Sequence, residues 1–201
     1  LSIISSAGCS SVFTNTVEVY PQPSPDFSAN NTCIGTSANF SDLSAVTGGQ
    51  SLNSWTWAFG DGSPVNNAQN PSHIYTQSGT YNVSLVGSTN WGCSDTVTRS
   101  ITIYPNPQVE FKVSDTSTCV NVCSQFLDLS TITGGSINSW AWNFGDGGTS
   151  VQRNPLHCYT QPGTYSISLT VTSTNGCVEN VALPNFVDVY PTPAAAFTYS
   201  P

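Results

Sequence analysis

Apolar and polar residues alternate with period two along Tyr81-Asn-Val-Ser-Leu85 and again along Tyr165-Ser-Ile-Ser-Leu-Thr-Val171. Strands with one face on a core and one in solvent read this way. Trp55, Trp57 and Phe59 share one parity, with Thr56 and Ala58 opposite; Trp140 and Trp142 follow suit. The tryptophans are therefore predicted to face a core. No stretch keeps helical periodicity over about twelve residues. Thr47-Gly-Gly49, Gly60-Asp-Gly62, Ser78-Gly79 and Asn90-Trp-Gly92 supply turn chemistry at short intervals. Short strands between such turns predict an all-β chain of antiparallel sandwiches, each with a tryptophan on its third strand.

The pattern also repeats on a larger scale. Trp55-Thr-Trp-Ala-Phe-Gly-Asp-Gly62 returns 85 residues on as Trp140-Ala-Trp-Asn-Phe-Gly-Asp-Gly147. Asn70-Pro-Ser-His-Ile-Tyr75 answers to Asn154-Pro-Leu-His-Cys-Tyr159, and Gly79-Thr-Tyr81 to Gly163-Thr-Tyr165. A fixed period of this size predicts copies of one domain. Tyr20-Pro-Gln-Pro, Tyr104-Pro-Asn-Pro and Tyr190-Pro-Thr-Pro mark the boundaries, because proline ends a hydrogen-bonded ladder while keeping the chain extended. The expected organisation is two complete domains, 23–106 and 107–192. They are flanked by the last strands of an earlier copy in 1–22 and the start of another in 193–201. Stiff, short junctions predict a semi-rigid rod.

Composition narrows the function. Only 7% of residues are charged, with 3 Lys and Arg against 11 Asp and Glu and a net charge of −8. Three scattered cations cannot neutralise a phosphate backbone or dock on anionic lipid. No apolar run approaches the roughly 20 residues of a membrane helix. Nucleic acid binding and membrane insertion are thus not expected. Seven cysteines in a chain without methionine fit an oxidising, extracellular compartment.

Trp-x-Phe-Gly-Asp-Gly, then Asn-Pro-x-His-x-Tyr, then Gly-Thr-Tyr and an alternating strand, resembles the polycystic-kidney-disease (PKD) domain. Three ordered motifs appearing twice make the resemblance specific, and it covers nearly the whole chain. It implies tandem immunoglobulin-like β-sandwiches used as spacers or interaction modules, without catalytic residues. Long bacterial arrays with a cysteine in the Asn-x-Gly-Cys turn resemble surface adhesins and gliding-associated proteins.

The remaining chemistry is weighed against that background. Asp61 and Asp146 recur before Gly62 and Gly147, where aspartate bonds its own backbone in a tight turn. They are read, with Trp57, Phe59, Trp142 and Phe144, as structural motif residues. His73 and His157 lack the partner ligands that zinc needs, so no metal and no cofactor are expected. Trp91 stands in a turn of one copy only and is the candidate contact residue for a ligand such as a surface glycan.

The cysteines carry the covalent chemistry. Cys33 and Cys93 match Cys119 and Cys177, and Cys9 matches the Cys93 position. Cys123 and Cys158 occur in the second copy alone, where the first has Ser37 and Ile74, and are predicted to pair with each other. In an immunoglobulin-like sandwich the first loop and the last hairpin lie at opposite ends. That placement favours Cys33–Cys177 across the junction, with Cys33–Cys93 and Cys119–Cys177 as the alternative. Spacing alone leaves both open.

The expected function is a non-catalytic spacer or stalk of a bacterial cell-surface adhesin or filament. Its partners would be neighbouring repeats of the same chain, with surface glycans or other surface proteins as further candidates. The alternatives are a polysaccharide- or protein-binding module and an accessory region of a secreted hydrolase.

Overall fold

The computed structural model describes residues 1–48 and 50–197. Gly49 of the Thr47–Gly49 turn and the end of the expected 193–201 fragment lie outside the described residues. Ser2–Ile4 (β1) and Ser10–Val12 (β2) open the chain. Then come Pro23–Ser24 (β3), Phe27–Ala29 (β4), Thr32–Cys33 (β5), Ser37–Asp42 (β6), Ala45–Val46 (β7), Ser54–Ala58 (β8), Ser72–Ile74 (β9), Gly79–Ser88 (β10) and Ser94–Tyr104 (β11). The second copy contributes Phe111–Val113 (β12), Ser117–Cys119 (β13), Cys123–Asp128 (β14), Ile137–Asn143 (β15), Thr149–Ser150 (β16), Leu156–Cys158 (β17), Gly163–Ser173 (β18) and Val178–Tyr190 (β19). Among the described residues there is no helix.

By compactness the chain forms two units. The first holds Leu1–Ala29, Asn39–Pro71 and Asn82–Arg99; the second holds Asn30–Ala38, Ser72–Tyr81 and the chain from Ser100 onward. The sequence repeat and this division do not coincide, since three segments of the first copy belong with the second.

In the first unit, β1 and β2 form an antiparallel hairpin with Ser2 opposite Val12. β3 pairs with β7, β4 with the end of β6, and β8 with Ser84–Ser88 of β10. Phe27, Phe40, Trp57, Phe59, Val83 and Leu85 are buried. Phe27 meets the Trp57 ring edge-on at 5.1 Å, the arrangement aromatic quadrupoles favour.

The second unit contains one sheet in the order β12-β14-β17 and another in the order β13-β19-β18-β15-β16. Their facing sides bury Phe111, Phe126, Trp142, Phe144, Tyr159, Ile167, Leu169, Val171, Val187 and Val189. Burial alternates residue by residue along β18, because successive side chains of a strand point to opposite faces.

Phe-Gly-Asp-Gly reads as a geometric requirement. Gly60 and Gly145 both sit at φ +82°, a region that a Cβ disfavours. A Cβ there would also meet the Asn82 carbonyl oxygen at 2.6 Å and that of Ser166 at 2.5 Å.

Parity mispredicts one pair. Trp57 and Trp142 are fully buried, but Trp55 and Trp140 are only half-buried. Even half-buried, an indole N–H must find an acceptor. A carboxylate supplies it.

Candidate functional site

That carboxylate is Asp42 in one copy and Asp128 in the other. Asp42 Oδ2 accepts from Trp55 Nε1 at 2.8 Å and Gln69 Nε2 at 3.1 Å, while Oδ1 accepts from the Ser44 amide at 3.0 Å. Asp128 Oδ2 accepts from Trp140 Nε1 at 2.9 Å and Arg153 Nε at 3.1 Å, while Oδ1 accepts from the Ser130 amide at 2.9 Å. The aspartate amides donate to Asn70 Oδ1 at 2.8 Å and Asn154 Oδ1 at 2.9 Å, which accounts for the Asn of Asn-Pro. Arg153 also lies over the Trp140 ring, 5.6 Å from its centroid.

Burial pushes both carboxyls up. For Asp128, hydrogen bonds from Ser130, Trp140 and Arg153 outweigh it and hold the group below the ordinary carboxylate range. For Asp42, bonds from Ser44, Gln69 and Trp55 do the same. Side chains this committed act as clasps. They are poorly suited to moving a proton at neutral pH.

Asp61 accepts from the Ser63 amide at 3.1 Å and its hydroxyl at 2.6 Å, as an Asx-type turn requires. Asp146 accepts from the Gly148 amide at 2.8 Å and lies 2.8 Å from His157 Nε2. Burial raises the Asp146 pKa, but the Gly148 amide and His157 bring it below the usual range. His157 stacks on Phe144 at 4.0 Å and meets Tyr159 edge-on. Tyr159 donates to the Phe144 carbonyl at 3.2 Å; burial, then the Asp146 charge, pushes its hydroxyl well above the usual tyrosine range. In the first copy His73 meets Tyr75 edge-on at 4.6 Å. Asp61 belongs to the first compact unit and Asp146 to the second.

Trp91 stacks on Tyr20, with ring centroids 4.7 Å apart and planes 10° from parallel. One face of the candidate contact residue is therefore covered from within the chain. Trp91 as a whole remains 38% exposed.

The cysteines are brought together as follows. Cys33 and Cys177 are bonded within the second compact unit, with Cα atoms 5.7 Å apart. Beside them Asn106, of Pro-Asn-Pro, donates to Glu179 Oε1 at 2.8 Å and to the Ile34 carbonyl at 3.3 Å. Asn31, Thr36, Asn106, Asn175 and Glu179 help to line an open polar cleft of about 710 Å³ there. Cys123 and Cys158 form a second disulfide and stand directly opposite each other on β14 and β17. Cys9, Cys93 and Cys119 are free thiols, so neither Cys33–Cys93 nor Cys119–Cys177 is formed.

The sequence reading missed the Asp42 and Asp128 clasps and the role of Asn106. Phe40-Ser-Asp-Leu-Ser44 recurs as Phe126-Leu-Asp-Leu-Ser130, and that recurrence was the available signal. Nothing comparable marks Asn106.

A family model described as the PKD domain matches residues 20–103 and 104–186. A stretch of 74 residues is 40% identical to the pre-pro-metalloprotease PrtV of Vibrio cholerae, covering 37% of this chain and 7% of that protein. A stretch of 42 residues is 50% identical to the collagenase ColA of Bacillus cereus, covering 21% of this chain and 4% of that protein. The chain thus spans only a small part of these relatives. Among solved structures, the PKD1 domain of Vibrio cholerae PrtV is 30% identical, with 41% of this chain and 98% of that one covered and a TM-score of 0.37. The PKD1 domain of Vibrio anguillarum Epp is 28% identical, with 42% and 96% covered and a TM-score of 0.37.

Proposed function

The chain belongs to the PKD domain family, and on that premise we propose that it is a non-catalytic spacer of a larger extracellular protein, set beside the catalytic domain of a secreted hydrolase. The observation that carries this reading is the sequence likeness to a metalloprotease and a collagenase. Two disulfides support an oxidising, extracellular setting. In this role Asp61 and Asp146, which recur in both copies, hold turns, and His73 and His157 pack on aromatic rings. The chain itself neither binds a metal nor turns over a substrate.

A second reading, the stalk of a cell-surface adhesin, is favoured by one feature. Cys33 of the first copy is bonded to Cys177 of the second, a covalent tie between successive repeats that suits an extended array. Partners in that setting are neighbouring PKD repeats, with Trp91 as the residue offered to glycans or other surface proteins.

The full-length protein tests both readings. Deleting residues 20–186 from it should leave cleavage of a small soluble peptide unchanged and lower cleavage of an insoluble protein substrate. A full-length protein that hydrolyses neither would overturn the hydrolase setting. Loss of peptide cleavage on Asp61→Asn or His73→Ala alone would overturn the non-catalytic assignment.

A further inference from the structure

The loop that holds Cys33 is built twice. Thr32 and Cys33 pair in parallel with Ile103 and Tyr104, and Thr118 and Cys119 pair in parallel with Val189 and Tyr190. The Ile34 amide donates to the Tyr104 carbonyl at 3.0 Å, and the Val120 amide to the Tyr190 carbonyl at 3.0 Å. The next amides, Gly35 and Asn121, donate to the Tyr75 and Tyr159 carbonyls at 3.0 and 2.8 Å. Gly35 and Asn121 both take positive φ, 75° and 66°. Position for position, the backbone that presents Cys33 to its partner also presents Cys119. Cys119 is exposed and unbonded.

The partner hairpin is built three times. In each, an amide four residues before the cysteine donates to the cysteine carbonyl: Ser5 to Cys9 at 2.8 Å, Thr89 to Cys93 at 2.9 Å, and Ser173 to Cys177 at 2.8 Å. Gly8, Gly92 and Gly176 precede the cysteines at φ 82°, 80° and 81°. Only Cys177 is bonded, and it is joined to the loop of the preceding copy, not to the loop of its own. The flanking chemistry also matches. An acid stands two residues after the cysteine, Glu179 or Asp95, and a donor two residues after the tyrosine, Asn106 or Thr192.

We propose that the Cys119 loop is a docking socket for the x-Gly-Cys hairpin of another PKD repeat, as Cys93 of a second copy of this chain presents it, and that a disulfide closes the contact. The inference rests on the spacer reading but fails separately from it. The joint is heterologous: the loop of one copy takes the hairpin of the next, so joining propagates head to tail instead of closing a symmetrical dimer. The chemistry balances with a disulfide oxidant such as oxidised glutathione. The Cys119 thiolate displaces one glutathione thiolate to form a mixed disulfide. The Cys93 thiolate then attacks the Cys119 sulfur and releases the second, so that two protein thiols are oxidised and one glutathione disulfide is reduced.

The test uses the whole chain with Cys9→Ser, which removes the third hairpin thiol, incubated with oxidised glutathione and resolved without reductant. The expected result is a ladder of covalent oligomers whose proteolysis yields a Cys93–Cys119 peptide. The ladder should be lost in Cys119→Ser and in Cys93→Ser. Recovery of the Cys33–Cys177 and Cys123–Cys158 peptides from each variant reports that it has folded. Monomer alone, or dimers joined only through Cys93–Cys93 or Cys119–Cys119, would overturn the proposal. Either outcome leaves the spacer reading to its own deletion test.

Discussion

The two copies share a motif set but close it with different chemistry. The first clasps its half-buried tryptophan through Asp42 and the neutral amide of Gln69; the second uses Asp128 and the guanidinium of Arg153. The first covers Phe27 with Arg99, which also pairs with Asp26. The second packs Phe186 edge-on against Phe111 at 5.5 Å. Where the second carries Cys123–Cys158, the first has Ser37 and Ile74. One sandwich thus tolerates a cation, an amide or a ring at a given position, provided that every buried donor keeps an acceptor. Among the described residues, no buried side-chain polar atom lacks a partner.

The disulfide gives the largest expected difference. Cys123 and Cys158 close a loop of sequence separation 35, which should stabilise the second copy by about 4 kcal/mol through loss of unfolded-chain entropy. Calorimetry should resolve two transitions in the oxidised chain, the later one belonging to the second copy. In the Cys123→Ser, Cys158→Ser double variant they should converge. If the later transition does not move, the bond contributes nothing and the comparison rests on packing alone.

The clasps should differ less. Asp128 is inaccessible to solvent while Arg153 is 59% exposed, so Asp128→Ala strands a half-buried indole donor and breaks a charge-assisted bond, at a cost of about 3 kcal/mol. Asp42→Ala should cost about 2 kcal/mol, since its partners are neutral. Urea titrations of the two variants would order them; equal costs would show that the Arg153 charge adds nothing.

A smaller effect should appear with pH. Folding lowers the pKa values of Asp42, Asp128 and Asp146. The stabilisation from a depressed carboxylate is complete above its unfolded value, about pH 4, and is lost as pH falls through the lower folded value. Melting temperature should therefore hold through neutral pH and drop on acidification, less steeply in Asp128→Asn. A chain that melts higher in acid would contradict the clasp account.

How far the sequence could be read follows from how local each signal is. Period-two alternation placed β10 and β18, and Gly60 and Gly145 announced their turns, because both depend on neighbouring residues. The half-burial of Trp55 was illegible from parity. It depends on Asp42, thirteen positions away, brought close only when separate strands assemble. Asn106 looked like part of a proline linker, yet its amide binds Glu179 at a sequence distance of 73. Asn185, at φ 51°, lies within the register shift, between Leu183 opposite Ile167 and Val187 opposite Tyr165, and alternation carries no warning of such an interruption.

The parallel pairing of an early short strand in each copy with the end of its last has a consequence under tension. β5 lies beside Ile103–Tyr104, and β13 beside Asp188–Tyr190. β5 follows β4 and β13 follows β12, close to where the chain enters each sandwich, and the segments they pair with end where it leaves. Pulling the two ends apart draws these parallel segments past each other, along their own axes and across their hydrogen bonds. The bonds are then sheared together instead of being peeled one at a time. Each copy is thereby clamped close to both of its ends.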